Sequence, residues 1–385
     1  MRASRYLIAV LVSAGLIVAA CLLFLYRGGE LTPLRTIASE QQRHGGLYGT
    51  AVHADTYAYK FALVQAREPD VAVIGSSRVL TFRQELFGAG MVNMGLTASS
   101  TEQMEGAVRD LLRTRKPRVA ILGVDHYWGN PAWVRTLDAR NLPAQSRIVP
   151  NIMLPVQWLL DRKISAGDFF AGLVGTVSLV SGSAYAWGWS AIRTGDGFAA
   201  DGSYVYGATL YGRSPAADPQ FRDILSRVTG GRAQFAYGDA VSEPAAAAYD
   251  RTIALLRDAG VRVVVLIPPV APVVYREIAA RRTSGYRYMQ PFLDRIARSG
   301  VAVFDYLDPS AFGGLPCEFV DGFHIGDVGA ARMLKTMSGA LGPGTIDGGR
   351  VEEAITRRAG YASLDDRFAR LGERETDFLG LRCAR

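Results

Sequence analysis

The first hydrophobic pattern in the chain is an uncharged run from Tyr6 to Tyr26, preceded by Arg2 and Arg5 and closed by Arg27. A helix rising about 1.5 Å per residue crosses a hydrocarbon core of about 30 Å over such a run. Tyr6 and Tyr26 stand where interfacial aromatics belong, and the two arginines ahead of the span favour a cytoplasmic N-terminus. Residues 1–27 are therefore expected to be a single-pass anchor in the cell membrane, with the rest of the chain extracytoplasmic (periplasmic). Two other readings remain open. Val18-Ala19-Ala20 supplies small residues for a cleaved signal peptide, and together with Cys21 it resembles a lipobox that would leave Cys21 lipidated. The apolar run continues through Leu22 to Tyr26, which favours the anchor over both.

After a connector at 28–47 the pattern changes to short apolar runs alternating with helical periodicity. Asp70-Val-Ala-Val-Ile-Gly75 has the form of a buried parallel strand that ends in a tight turn. Met91-Val92-Asn93 reads as a strand, Thr101–Arg115 as a helix, and Arg118–Gly123 as the strand after the break at Pro117. A helix from Tyr249 ends at Gly260 and feeds strand Val261–Ile267, which Pro268-Pro269 stops. A further helix over about Val273–Ser299 precedes strand Val301–Phe304. This alternation predicts an α/β domain over 48–345 with a doubly wound, flavodoxin-like parallel sheet. A mainly helical insertion or cap interrupts it at about 129–245, and a helical tail follows at 346–385. The insertion holds a second uncharged stretch, Phe169–Ile192. A second membrane crossing there would put residues 77 and 324 on opposite sides, so the stretch is expected not to span.

Composition narrows the class. An apolar fraction of 49% is enough to build a core and excludes wholesale disorder. The net charge of +7 comes from scattered arginines rather than a basic block, so no nucleic-acid partner is expected. The four histidines show no metal-ligand spacing, and neither a metal nor a cofactor is expected. Outside the anchor only Cys317 and Cys383 remain, an even pair suited to one disulfide in an oxidising compartment.

Two short segments carry the chemistry. Gly75-Ser76-Ser77-Arg78 falls at the C-terminal end of the first strand, where open α/β sheets build ligand sites. Asp321-Gly322-Phe323-His324 falls in a turn after the last strand. The Asp-x-x-His spacing lets the carboxylate accept from one ring nitrogen while the other faces a nucleophile.

In that order, the two segments resemble the SGNH/GDSL hydrolase superfamily. Gly75-Ser76-Ser77 is similar to its first block, with serine in place of aspartate, which implies Ser77 as nucleophile and Asp321 and His324 as its partners. Asn93-Met94-Gly95 resembles the second block, and Leu122-Gly123-Val124-Asp125 the third. Oxyanion or substrate contacts would then come from Asn93, Gly95 and Ala98, then Asp125 and His126. Ala98 stands where the family has a glycine, although its N–H survives the change. Asp125 stands where the family has an asparagine donor, and an ionised carboxylate cannot donate. Asp125 would then be protonated, or turned away and paired with Arg78, or another group would donate, for which His126 stands next to it. A closer likeness is to a membrane-tethered branch with a Gly-Ser-Ser turn, which includes the teichoic-acid D-alanylation protein family and envelope-polysaccharide acyltransferases. It covers residues 48–128 and 245–340. The resemblance implies a serine esterase or O-acyltransferase acting on acyl esters of an envelope polysaccharide or lipid-linked glycan, with an integral membrane acyltransferase as partner. The other class of reading is a catalytically silent scaffold of the same fold that binds polysaccharide.

Overall fold

The computed structural model describes residues 2–51, 55–134, 152–175, 185–210, 218–365 and 377–382. The chain divides into two compact units, Met1–Asp55 with Pro143–Ala200, and Thr56–Leu142 with Asp201–Arg385. The inserted stretch is thus shared between them.

In the first unit the apolar run forms one helix, Arg2–Arg27. Residues 4–27 of it are long and apolar enough to cross a membrane. The connector that follows contains a helix of its own, Leu34–His44. Strand Leu47–Tyr48 then pairs parallel with Ala186–Trp187 and antiparallel with Asp196–Phe198. The core of this unit gathers Phe24 and Leu25 with Trp158, Ile164, Trp189 and Ile192. Phe24 lies flat against Trp189, with ring centres 4.1 Å apart. Gly28 is required beside it, because a Cβ there would sit 2.1 Å from the Trp189 ring nitrogen. Of the uncharged stretch 169–192, residues 176–184 lie outside the described residues, and the flanks are helices Ala166–Val174 and Trp189–Thr194.

The second unit is built on a five-stranded parallel sheet. Its strands are β1 (Val71–Gly75), β2 (Met91–Gly95), β3 (Val119–Gly123), β4 (Arg262–Ile267) and β5 (Ala302–Asp305). They lie in the order β2-β1-β3-β4-β5. That order is the flavodoxin-like one, and it reverses between β1 and β3, where such sheets open a crevice at their C-terminal ends. Every residue of β1, β2 and β3 is buried, which explains their unbroken apolar sequences. Helix Thr101–Thr114 packs on helix Glu243–Asp258, each begun by a serine N-cap, Ser100 and Ser242. In the tail, helix Gly348–Arg358 packs on Asp327–Leu341.

One helix differs from expectation. The periodicity over Val273–Ser299 resolves into two helices, Pro272–Ala280 and Met289–Ala297. Between them Gly285 lets the Tyr237 ring approach so closely that a Cβ would lie 2.7 Å from it. The Gly238–Tyr286 bridge takes over the backbone pairing there.

Beneath β2 lies a buried ammonium group. Lys60, on helix Thr56–Arg67, is fully enclosed and donates to the carbonyls of Asn93, at 2.9 Å, and Gly202. Burial brings its pKa down from 10.5 to about 7, against the opposing pull of Asp201. Between those two values the unfolded chain holds a proton that the folded chain has released, so stability climbs as pH rises across the window. Urea midpoints measured from pH 7 to 10.5 should show an added slope of up to about 1.4 kcal/mol per pH unit. Lys60→Met should remove it, and equal slopes in the two proteins would exclude this titration.

Candidate active site

The first strand delivers a serine pair to the crevice. Gly75 ends β1 where a Cβ would lie 2.9 Å from the Gly123 carbonyl, so only glycine lets β1 and β3 end this close together. The chain then tightens into a 3-10 turn, Ser77–Val79. Ser76 caps this turn, its Oγ accepting from the Arg78 N–H at 3.2 Å. The Ser77 Oγ instead lies 2.8 Å from His324 Nε2. Local geometry thus gives the two serines different work: one closes the turn and the other meets the imidazole.

The histidine is held from behind. His324 Nδ1 is 2.8 Å from Asp321 Oδ2, and Asp321 Oδ1 accepts from the N–H groups of Phe323 and His324, both at 2.7 Å. The Val320 N–H donates to the His324 carbonyl at 2.8 Å and closes the loop. Burial alone would raise the Asp321 carboxyl. The charge of and hydrogen bond from the His324 ring, followed by the two backbone donors, outweigh it and hold the group below its ordinary value. Asp321 therefore stays ionised, with its Oδ2 facing Nδ1 of the ring whose Nε2 faces Ser77. The Tyr206 ring lies 6.2 Å from the imidazole, and burial, then Asp321, pushes its phenol well above 10. It remains a neutral hydroxyl beside the site.

Arg78 ties these parts together. Its guanidinium donates to Asp125 Oδ1 at 2.9 Å and to the carbonyls of Phe323, Pro268 and Pro269 at 3.2, 2.8 and 2.6 Å. It also lies 4.3 Å from the Phe323 ring centre. The turn after β1, the ends of β3 and β4 and the histidine loop thus meet in one side chain.

The other expected site residues do not line the cleft. Asp125 is fully buried, bound by Arg78 and by the Tyr127 hydroxyl at 3.0 Å. His126 is fully buried with neither ring nitrogen hydrogen-bonded among the described residues, and burial, then Arg78, lowers its pKa well below 6.5. Asn93 braces the turn after β1, donating to the Val79 and Phe82 carbonyls at 2.7 and 3.1 Å. Its Oδ1 takes up the Gly95 N–H at 2.8 Å. The Ala98 N–H reaches the Gly75 carbonyl at 3.3 Å, a long contact for an amide donor. Cys317 is disulfide-bonded, and Cys383, the partner expected for it, lies outside the described residues.

The cleft around Ser77 and His324 has a volume of about 400 Å³. Part of its wall comes from Asp218, Asp223, Arg227 and Gln234, late in the inserted stretch. Asp218 accepts from the Asp223 and Ile224 N–H groups, and Asp223 pairs with Arg227 at 2.5 Å. The Gln234 Oε1 is buried without a hydrogen-bond partner among the described residues. Sequence reasoning missed these residues because they are polar residues of an irregular stretch whose neighbours only the fold reveals.

A parallel sheet, a membrane-length N-terminal helix and a Ser77–His324 contact at the crevice are together consistent with a membrane-associated enzyme of the hydrolase or acyltransferase class. Comparison with models of protein families, with curated proteins and with solved structures finds no match.

Proposed function

We propose that the chain is a membrane-tethered serine esterase or O-acyltransferase of the SGNH type, with Ser77 as nucleophile, His324 as base and Asp321 as its orienting carboxylate. The observation that carries this reading is the unbroken relay Ser77–His324–Asp321, with both links 2.8 Å long. His324 Nε2 takes the Oγ proton as Oγ attacks an ester carbonyl carbon. When the tetrahedral intermediate collapses, the ester C–O bond breaks and the alcohol leaves with the proton from His324. The acyl group on Ser77 then passes to water or to a sugar hydroxyl. The Ser77 N–H at the head of the 3-10 turn is the first oxyanion donor. The Ala98 N–H, the second donor that the resemblance implies, is engaged by the Gly75 carbonyl at 3.3 Å and does not line the cleft. With the N-terminus cytoplasmic, the unit carrying Ser77 works outside the membrane. Esters of an envelope polysaccharide or lipid-linked glycan are the substrates in reach, with an integral membrane acyltransferase as donor.

One observation favours a second reading, a non-catalytic scaffold that binds polysaccharide. Asp125 is locked onto Arg78 and supplies no side-chain donor to an oxyanion. Fluorophosphonate labelling separates the two. The wild type should label, Ser76→Ala should keep most of the labelling, and Ser77→Ala should lose it. A folded wild type that does not label would overturn the self-sufficient hydrolase.

A further inference from the structure

We propose that the N-terminal helix is not the sole membrane contact of this chain, and that the helices Leu154–Leu160 and Ala166–Val174 sit in the bilayer boundary and meet lipid directly. The inference rests on that N-terminal helix crossing the bilayer, and it is independent of the chemistry at Ser77.

The N-terminal helix is bare for most of its length, with Tyr6 75%, Leu11 62% and Leu16 66% exposed, and it is covered only near its end, where Cys21, Phe24 and Leu25 are buried. The two short helices do much of the covering. Phe24 stacks on Phe169 at 5.1 Å and meets the edge of Trp158 at 6.5 Å. Gly172 passes so close that a Cβ would lie 2.4 Å from the Phe24 ring.

This contact fixes a depth. A hydrocarbon core of about 30 Å runs from Tyr6 to Tyr26, so at about 1.5 Å per residue Phe24 lies about 3 Å, and Cys21 about 8 Å, inside its far edge. Side chains that pack on them lie at the same height. Helix Ala166–Val174 turns Phe169, Gly172 and Leu173 inward. Its Phe170 and Val174, four residues apart and on one face, are 65% and 67% exposed. Leu160, at the end of the preceding helix, is 79% exposed. At that height the medium around them is the acyl-chain boundary.

The polar groups agree with an interfacial position rather than a crossing. A capping box between Ser165 and Asp168 satisfies the start of the second helix, which matters where water is scarce. The turn between the helices carries Asp161, Arg162 and Lys163, all exposed, and Arg193 lies 5.0 Å from the Trp158 ring centre. Basic residues beside tryptophan suit the headgroup layer.

The test uses the full chain in liposomes of phosphatidylcholine and phosphatidylglycerol. Leu160→Cys, Phe170→Cys and Val174→Cys are each labelled with an environment-sensitive fluorophore and corrected against the labelled parent. Leu11→Cys reports the spanning helix, and Arg113→Cys, an exposed position on helix Thr101–Thr114, reports water. At all three sites we expect a blue shift and severalfold stronger quenching by doxyl lipids than by aqueous iodide, as at Leu11. Quenching at Leu11 by doxyl lipid, with iodide quenching at the three sites as at Arg113, would overturn the proposal. The span would survive, and the apolar patch would be left to a protein partner.

Discussion

Asp321→Asn is expected to lower ester turnover by about 10⁴-fold without unfolding the protein. The carbonyl of an asparagine can still accept from the Phe323 and His324 N–H groups, so the loop keeps its shape. Its NH2 would then face His324 Nδ1, where Asp321 Oδ2 now stands. A donor at that place forces the ring proton onto Nε2, which confronts Ser77 with a second donor instead of a base. The loss should fall on kcat rather than KM, and the rate of fluorophosphonate labelling should drop in parallel while the urea midpoint holds. A loss smaller than about tenfold would reduce Asp321 to a turn cap and sink the triad reading.

The second large effect concerns stability. Arg78→Met should cost about 3–5 kcal/mol, because it strands the Asp125 carboxylate without its counter-charge in the interior. Arg78 is 1% and Asp125 0% exposed, so water cannot replace what is lost. The Phe323, Pro268 and Pro269 carbonyls lose a charged donor as well. Adding Asp125→Asn removes the stranded charge and still offers the Tyr127 hydroxyl an acceptor. The double variant should therefore recover part of the loss and settle about 1–3 kcal/mol below wild type. Urea midpoints at unchanged m value measure both. A single-variant cost under about 1 kcal/mol would show that Asp125 is neutralised by other means.

Much of this architecture can be read from the sequence, for identifiable reasons. β1, β3 and β4 are buried on both faces, so Val71–Ile74, Val119–Leu122 and Val263–Ile267 read as apolar runs. The N-terminal helix is legible for a different reason, an uncharged run long enough to span a membrane that nothing interrupts between Arg5 and Arg27. Ser77 stands just past the end of the β1 run, and His324 stands out by its Asp-x-x-His spacing in a turn after the last strand. Other features depend on neighbours distant in sequence. Asp125 in a family donor position gives no sign that the Tyr127 hydroxyl and the Arg78 guanidinium enclose it. The break at Gly285 depends on a tyrosine 48 positions earlier, and helical periodicity does not register it. Nor does the polar sequence around Asp218 and Gln234 announce that it walls a cleft.

The reach of Arg78 along the chain also bears on how the protein is made. Its bonds close loops of 47, 190, 191 and 245 residues, and the contact between Ser77 and His324 closes one of 247. Contacts of that separation form late, once the chain entropy of the intervening segments has been lost to sheet pairing. On a growing chain Ser77 emerges long before the imidazole that would activate it. Until the segment around residue 324 arrives and β4 is in place, residue 77 lacks its imidazole neighbour, so under the proposed mechanism the unfinished protein would carry no armed nucleophile.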